Sequence, residues 1–131
     1  MLISGIHHVC IKCSVEEVEE VKKFYSEVLE MPMLRSWGEE GTESYGMMFD
    51  TGSGVIEVFA EAKEQLLQGA IRHFALSTEE VDRCVEKVRA AGYKITMEPN
   101  DIDIGSQPPL PARIAFVIGP VGEEIEFFCE K

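Results

Sequence analysis

Four side chains of types that bind metal ions occupy matching places in the two halves of the chain. In the first half His8 lies near the start and Glu57 near the end, and His73 and Glu126 take the corresponding places in the second half. Two imidazoles and two carboxylates suit a borderline divalent cation and leave coordination positions open for substrate or water. A bound ion would act as a Lewis acid on substrate oxygens. The residue types therefore predict a catalytic metal site.

The predicted strands that carry these residues follow one rule. Successive side chains of a strand alternate between its two faces, and in each segment one face is apolar while the other carries one of the four residues. If a pseudo-twofold axis relates the halves, the two His–Glu pairs can converge on one point. Cys10 and Lys12 share the face of His8, whereas His7 lies on the other face and is expected to be structural or exposed. The segments are Ile6–Lys12, Val55–Phe59, Ile71–Leu76 and Glu124–Phe128.

A simpler interpretation exists for each residue taken alone. A single His on a strand is more often a hydrogen-bonded structural residue than a metal ligand, and a single Glu on a half-buried strand usually faces solvent or forms an ion pair. Four such residues at matching places in two matching units are much harder to obtain by chance. The pattern therefore favours the metal site.

Each half also carries the signals of one helix between its strands. Ser14–Glu17 and Ser77–Glu80 both match a capping box, which marks a helix start, and apolar residues follow at helical spacing. Gly92 is the expected stop of the second helix. The other predicted strands are Met33–Trp37, Tyr45–Phe49, Lys94–Glu98 and Arg113–Val117. A surface loop or lid is expected over 99–111, after the strand that ends at Glu98.

The order of elements in each half is therefore β-α-β-β-β, and the fold class is α+β. A unit of about 60 residues is marginal alone, so the two are expected to pack as one domain over residues 1–131. Its modules would span about 1–65 and 66–131, with Gln65–Gly69 as the joint.

Composition narrows the classes of partner. A formal net charge of −12 argues against binding to nucleic acid and to anionic membrane surfaces, because both require clustered Lys and Arg. No apolar run is long enough to span a membrane, and no secretory signal is recognisable, so a cytoplasmic location is expected. The four cysteines are expected to be reduced and mostly buried.

The sequence resembles the vicinal-oxygen-chelate superfamily and, within it, glyoxalase I, over nearly the whole chain. The segments that carry the resemblance are Ile6–Val9, Phe24–Met31, Val55–Val58, Ile71–Leu76, Ile114–Phe116 and Gly119–Phe127. The resemblance implies two βαβββ modules that form a curved sheet around one divalent metal ion. It also implies that His8, Glu57, His73 and Glu126 are the metal ligands, with Ni, Co, Zn, Mn and Fe all open as the metal.

The implied activity is that of a lactoylglutathione lyase, which serves methylglyoxal detoxification. A metal-dependent lyase of this kind converts the hemithioacetal of a 2-oxoaldehyde and a thiol to a 2-hydroxyacyl thioester. Glu126 would be the principal base and Glu57 a ligand and second proton carrier, while Phe59 and Phe128 would shield the intermediate from water. A homodimer is implied as well.

The sequence departs from the glutathione-binding pattern at two positions, which leaves the thiol open. Lys12 stands where bacterial-type glyoxalases carry Arg, and Glu61 stands where they carry Asn. Lys12, Arg72 and Arg113 are candidates for binding an anionic substrate group, or are simple surface charges. Alternative functions are an acyl-CoA epimerase or thiol transferase of the same fold, or a metal-free module that binds a small molecule.

Overall fold

The computed structural model describes residues 1–2, 6–64, 66, 69, 71–103, 105–106 and 108–131. The chain divides into two compact units, Met1–Leu67 and Gln68–Lys131. The predicted joint Gln65–Gly69 lies mostly outside the described residues. Packing of the two units as a single domain stays a prediction.

The first unit contains one sheet and one helical segment. The sheet has the strand order β1-β4-β3-β2, with β1 and β4 parallel and the other pairs antiparallel. The helical segment between β1 and β2 combines a 3₁₀ turn at Val15–Glu17, helix α1 at Val18–Lys23 and a π-helical turn at Phe24–Val28. The strands are β1 (His8–Lys12), β2 (Met33–Trp37), β3 (Gly46–Asp50) and β4 (Val55–Phe59).

The second unit repeats this order. Its sheet runs β5-β8-β7-β6, with β5 and β8 parallel, and helix α2 (Val81–Ala90) connects β5 to β6. The strands are β5 (Phe74–Ser77), β6 (Ile95–Asp103), β7 (Pro111–Ile118) and β8 (Glu124–Glu130). The β-α-β-β-β order predicted for both halves and the α+β class are thus confirmed.

The apolar core of each unit lies between its helix and one face of its sheet. In the first unit the Tyr25 ring stacks on Phe49 with the centroids 5.6 Å apart. In the second unit Val85 of α2 is fully buried, as is Ile125 of β8. Burial of side chains of this size stabilises a fold by about 1.5–3 kcal/mol each. The helix-facing side of each sheet is therefore committed to packing, and its other side is available for chemistry.

The two predicted capping boxes have different outcomes. At the first, the Ser14 amide donates to the Glu17 carboxylate over 2.9 Å, as predicted. At the second, Ser77 is still part of β5, and α2 begins only at Val81. The Glu80 amide donates to Thr78 Oγ1 instead, at 3.0 Å, so a threonine turn replaces the predicted serine cap.

The predicted end of the second helix is confirmed. Gly92 follows the helix with φ +90°. The Gly92 amide donates to the Arg89 carbonyl at 2.9 Å, and the Tyr93 amide donates to the Val88 carbonyl at 3.2 Å. These two bonds are the Schellman arrangement, in which a left-handed glycine satisfies the last carbonyls of a helix.

The loop predicted over 99–111 is shorter in the structure. Residues 99–103 continue β6, and Pro111 is the first residue of β7. Pro99 is tolerated inside β6 because β6 is an edge strand and its pairing with β7 shifts register between Met97 and Asn100. The prediction of a surface loop or lid across the whole segment is therefore wrong for residues 99–103, which are in a strand.

Two further expectations concern the cysteines and membranes. All four cysteines are free, but only Cys13 is buried, so the expectation that most of them are buried is wrong. None of the described helices has the length and apolar character needed to cross a bilayer.

Candidate metal centre

His8 and Glu57 form the first of two His–Glu pairs. The parallel register of β1 and β4 sets Cys10 opposite Glu57, so the side chains of His8, Cys10, Lys12, Glu57 and Phe59 share one side of the first sheet, called here the first ligand face. His8 Nε2 lies 3.5 Å from Glu57 Oε1. Because β1 and β4 are the first and last strands of the unit, His8 and Glu57 meet only when these two strands pair in the folded unit.

His73 and Glu126 form the second pair. His73 directly precedes β5, which begins at Phe74, so the predicted strand Ile71–Leu76 starts later than expected. His73 Nε2 lies 3.1 Å from Glu126 Oε2, and the imidazole packs edge-on against the Phe116 ring with the centroids 5.2 Å apart. The carboxylate is largely buried, at 8% exposure for the residue.

The geometry and chemistry of both pairs fit a bound cation. Two ligand atoms that are each about 2.1 Å from one ion lie roughly 3–3.5 Å from each other. The separations of 3.5 Å and 3.1 Å within the pairs fall in this range. His73 Nδ1 is also buried without a hydrogen-bond partner among the described residues. Nε2 and not Nδ1 faces Glu126, so this second nitrogen is costly unless a water satisfies it.

Each pair brings together two side chains of types that bind metal ions. Within the residues that the structure describes, no three His, Cys, Asp or Glu side chains gather closely enough to hold an ion. The structure thus provides two pairs, one in each unit, and the four-ligand set stays a prediction.

Two residues, His7 and Cys10, lie beside the pair formed by His8 and Glu57. His7 is exposed, as expected, but its Nδ1 lies 2.9 Å from His8 Nδ1, so it contacts the ring that faces Glu57. Partial burial, followed by a hydrogen bond to Glu57, raises the pKa of Cys10 to about 11. The thiol is therefore protonated at neutral pH, and its Sγ lies 3.8 Å from the Ile11 carbonyl oxygen.

The remaining predicted residues of the first ligand face have partners in the structure. Lys12 Nζ lies 3.1 Å from Glu61 Oε1, so the two residues that depart from the glutathione-binding pattern pair with each other. The Phe59 ring contacts the Trp37 ring at 5.6 Å in an edge-on arrangement. Phe59 thus belongs to an aromatic pair on the ligand face.

The other predicted substrate residues belong to the second unit, and they do not all lie on the same side of its sheet. Phe128 alternates with Phe127 and so shares the side of Glu126, called here the second ligand face. Arg72 is exposed in the segment before β5. Arg113 faces the other side, because its register partner is Cys129.

The guanidinium of Arg113 is engaged by carboxylates. Its Nε and Nη2 donate to the two oxygens of Asp82 at 2.6 and 2.7 Å, and Nη1 donates to Asp101 at 3.2 Å. The hydrogen bonds from Arg113 hold the pKa of Asp82 below its usual range. The pKa of Asp101 is also lowered, mainly by a hydrogen bond from Lys131 and secondly by the one from Arg113. The structure therefore does not bring Arg113 to a ligand face, and of the two predicted roles this placement agrees with the surface charge.

Three residues of the ligand faces were missed by sequence reasoning. Phe116 packs on His73, and Arg35 and Trp37 are on the first ligand face through the pairing of β2 with β3. Trp37 is the sole tryptophan, and Gly46 opposite it leaves room for the indole, since a Cβ at Gly46 would lie 2.2 Å from the ring. An aromatic residue facing a glycine across two strands is a signal that could have indicated this contact.

Comparison with known proteins agrees with this architecture. The profile of the Glyoxalase/Bleomycin resistance protein/Dioxygenase superfamily matches residues 5–108. The chain is 31% identical over 124 residues to a lactoylglutathione lyase of Escherichia coli O157:H7, which covers 89% of this chain and 87% of that protein. It is 32% identical over 120 residues to the lactoylglutathione lyase GLX1 of Arabidopsis thaliana. That match covers 86% of this chain but only 40% of the plant protein, so the chain spans about two fifths of that relative.

The fold itself is similar to that of solved glyoxalases. The trypanothione-dependent glyoxalase I of Leishmania major aligns with a TM-score of 0.73 at 23% identity, over 97% of this chain and 87% of that chain. Two four-stranded mixed sheets with the β-α-β-β-β order match this fold. On the profile match, the E. coli relative and the shared architecture, this chain belongs to the Glyoxalase/Bleomycin resistance protein/Dioxygenase superfamily.

Proposed function

We propose that this protein is a metal-dependent lyase of the glyoxalase I type. Its substrate would be the hemithioacetal of a 2-oxoaldehyde such as methylglyoxal, and its product the 2-hydroxyacyl thioester. The observation that carries this proposal is the pair of His–Glu contacts, at 3.5 Å in the first unit and 3.1 Å in the second. The 31% identity to the E. coli lactoylglutathione lyase supports the choice of reaction.

His8, Glu57, His73 and Glu126 would hold the metal ion, which is one of Ni, Co, Zn, Mn or Fe. When bound, the ion supplies Lewis-acid stabilisation of negative charge on two adjacent substrate oxygens. The 3.1 Å separation of His73 Nε2 and Glu126 Oε2 supports this assignment, because two ligand atoms of one ion lie at about this distance.

The proton transfer falls to the carboxylates. Glu126 accepts the proton of the hemithioacetal carbon, and the electrons of the broken C–H bond form the double bond of an enediolate. Glu126 then returns the proton to the neighbouring carbon. The hydroxyl proton of the hemithioacetal carbon passes to the neighbouring oxygen through the second carboxylate, so the hemithioacetal carbon becomes the thioester carbonyl. Glu57 is the second proton carrier. Phe59 and Phe128 exclude water from the enediolate, because the proton that Glu126 has accepted would otherwise exchange with solvent.

The thiol is a separate question from the reaction. The Leishmania relative of this fold is trypanothione-dependent, so the thiol differs among similar proteins. In this chain Lys12 pairs with Glu61, which leaves less positive charge for the carboxylates of glutathione than an unpaired cation would. Arg72 stays a candidate for binding an anionic substrate group. We also propose that the protein is a homodimer and that it is located in the cytoplasm.

The test is a screen of turnover on untagged protein that has been stripped with EDTA and reloaded with each metal separately. Methylglyoxal is offered with glutathione, a bacillithiol-type thiol and 2-mercaptoethanol. We expect formation of the thioester with at least one thiol, loss of activity on stripping and recovery on reloading. Full activity of the metal-free protein would refute the metal mechanism. Absence of bound metal together with absence of turnover would favour the metal-free binding module instead.

A further inference from the structure

Arg35 lies in the same cross-strand row as the ligand carboxylate Glu57. The pairing of neighbouring strands is Cys10 with Glu57, Glu57 with Met48, and Met48 with Arg35. Residues that are paired across adjacent strands project to the same face of the sheet. Arg35 therefore projects from the first ligand face, two strands from Glu57, which at the spacing of paired strands is about 10 Å.

The surroundings of Arg35 leave its charge available. Arg35 is exposed on the edge strand β2, and no hydrogen bond or ion pair engages it within the described part of the chain. Lys12 on the same face is paired with Glu61 at 3.1 Å, and Lys63 is paired with Glu43. Met48, which lies between Arg35 and Glu57, is uncharged. Among the described residues of this face, the guanidinium is the cation that no carboxylate offsets.

The neighbouring row adds an apolar wall. Trp37 is two residues beyond Arg35 and pairs with Gly46, which pairs with Phe59. The two rings contact each other edge-on. An elongated ligand that crosses this face from Glu57 towards β2 would thus meet aromatic surface alongside and a guanidinium at its far end.

We propose that Arg35 is a specificity-determining residue that binds a carboxylate on the thiol portion of the substrate. This inference rests on the proposed function for the identity of the substrate. It assigns charge recognition to Arg35 in preference to Lys12, whose charge Glu61 offsets. A guanidinium suits the role because it can bind a carboxylate through two parallel hydrogen bonds.

The kinetic test compares an anionic with an uncharged thiol. Steady-state constants are measured for the hemithioacetals of methylglyoxal with 3-mercaptopropionate and with 2-mercaptoethanol. Arg35→Gln should raise KM for the anionic substrate about tenfold, because a charge-assisted hydrogen bond is lost, and should leave kcat and the uncharged substrate unchanged. Arg35→Lys should recover part of the loss. Lys63→Gln, which removes another exposed cation, should change neither substrate.

Two results would overturn the inference while leaving the proposed function intact: equal changes for both thiols, or no change for either. If the unaltered protein turns over neither hemithioacetal, the proposed function loses its support, and binding then decides on Arg35. Calorimetry would compare the S-hexyl thioether of 3-mercaptopropionate with the S-hexyl thioether of 2-mercaptoethanol. A preference for the anionic compound that disappears in Arg35→Gln upholds the inference, and the absence of such a preference refutes it.

Discussion

Glu126 Oε2 lies 3.1 Å from His73 Nε2, and among the described side chains Glu126 is the buried acidic one. A carboxylate in this position loses its basicity when it is replaced by an isosteric amide. We therefore expect Glu126→Gln to lower kcat by about 100- to 10,000-fold, which is the usual contribution of a general base. The measurement is turnover of the hemithioacetal on metal-reloaded protein.

The control for this change is Glu130→Gln, an exposed position at the end of the same strand. It should leave turnover at the level of the unaltered protein. Far-UV circular dichroism should be the same for both variants, and metal analysis of each sample separates loss of the base from loss of the ion. Near-normal turnover of Glu126→Gln with metal bound would show that another group removes the proton.

The ion pair between Lys12 and Glu61 predicts an effect on substrate charge. Glu61→Gln releases the Lys12 ammonium, so we expect KM for an anionic hemithioacetal to fall a few-fold, with no change for an uncharged one. Stability should change by less than about 1 kcal/mol, because both side chains are about half exposed and exposed pairs contribute little. Kinetics with both thiols and thermal melting check the two statements.

Glu43→Gln serves as the comparison, since it breaks the exposed pair with Lys63 in the same unit. It should leave both KM values unchanged. An equal decrease in KM for charged and uncharged substrates after Glu61→Gln would mean that Lys12 acts through packing and not through its charge.

The contacts of Arg113 predict a dependence of stability on acid pH. Because the pKa of Asp82 and that of Asp101 are lowered in the folded protein, their contribution is present above the ordinary carboxyl pKa. It is lost as pH falls below about 4 and passes through the lowered values. Arg113→Met should destabilise the protein near pH 7 and flatten the decline in this window. Urea midpoints at pH 7 and between pH 4 and 2 measure it.

Arg83→Met removes a guanidinium that pairs with Glu80 within one turn of helix, and it provides the matched case. Its midpoint should follow that of the unaltered protein with pH. A full acid-dependent decline in Arg113→Met would assign the effect to other carboxylates.

Glu30 predicts a stabilising substitution. It follows the π-helical turn with φ +59°, a left-handed conformation that side chains rarely adopt, while the Met31 amide donates to the Tyr25 carbonyl at 2.9 Å. Glycine adopts this conformation without the steric cost, so Glu30→Gly should raise the free energy of unfolding by about 0.5–1 kcal/mol. Glu27→Gly, inside the turn, should lower it by a similar amount. Chemical denaturation of both variants tests the pair, and loss of stability in both would show that the Glu30 side chain outweighs its backbone strain.

The sequence predicted the strands best where alternation was bounded by turns. Met33–Trp37 and Val55–Phe59 were predicted with the observed bounds. The second of them directly follows a turn that contains Asp50 and Gly52. The extension of β6 was missed because Pro99 and its acidic neighbours are typical of loops. Their place in a strand depends on the free edge and the register shift of β6, which are properties of the whole sheet.

The candidate site was predictable to the extent that it depends on alternation along single strands. His8 and Glu57 were found in this way, because a period of two identifies the face that each shares. Arg35 and Arg113 show where this reasoning ends. The charge of each is visible in the sequence, but its partner is set by the register of β2 on β3 and by the packing of α2 on β7.

Trp37 gives the molecule a built-in optical reporter. Since it is the sole indole, fluorescence excited at the long-wavelength edge of the indole absorption originates in the first unit, next to Phe59 and one row from Glu57. A change in that emission on adding an oxoaldehyde–thiol adduct would signal arrival at this surface without any dye. In a denaturation experiment the same light follows one unit while circular dichroism follows both, so superimposable curves would mean that the two halves melt as a single cooperative body.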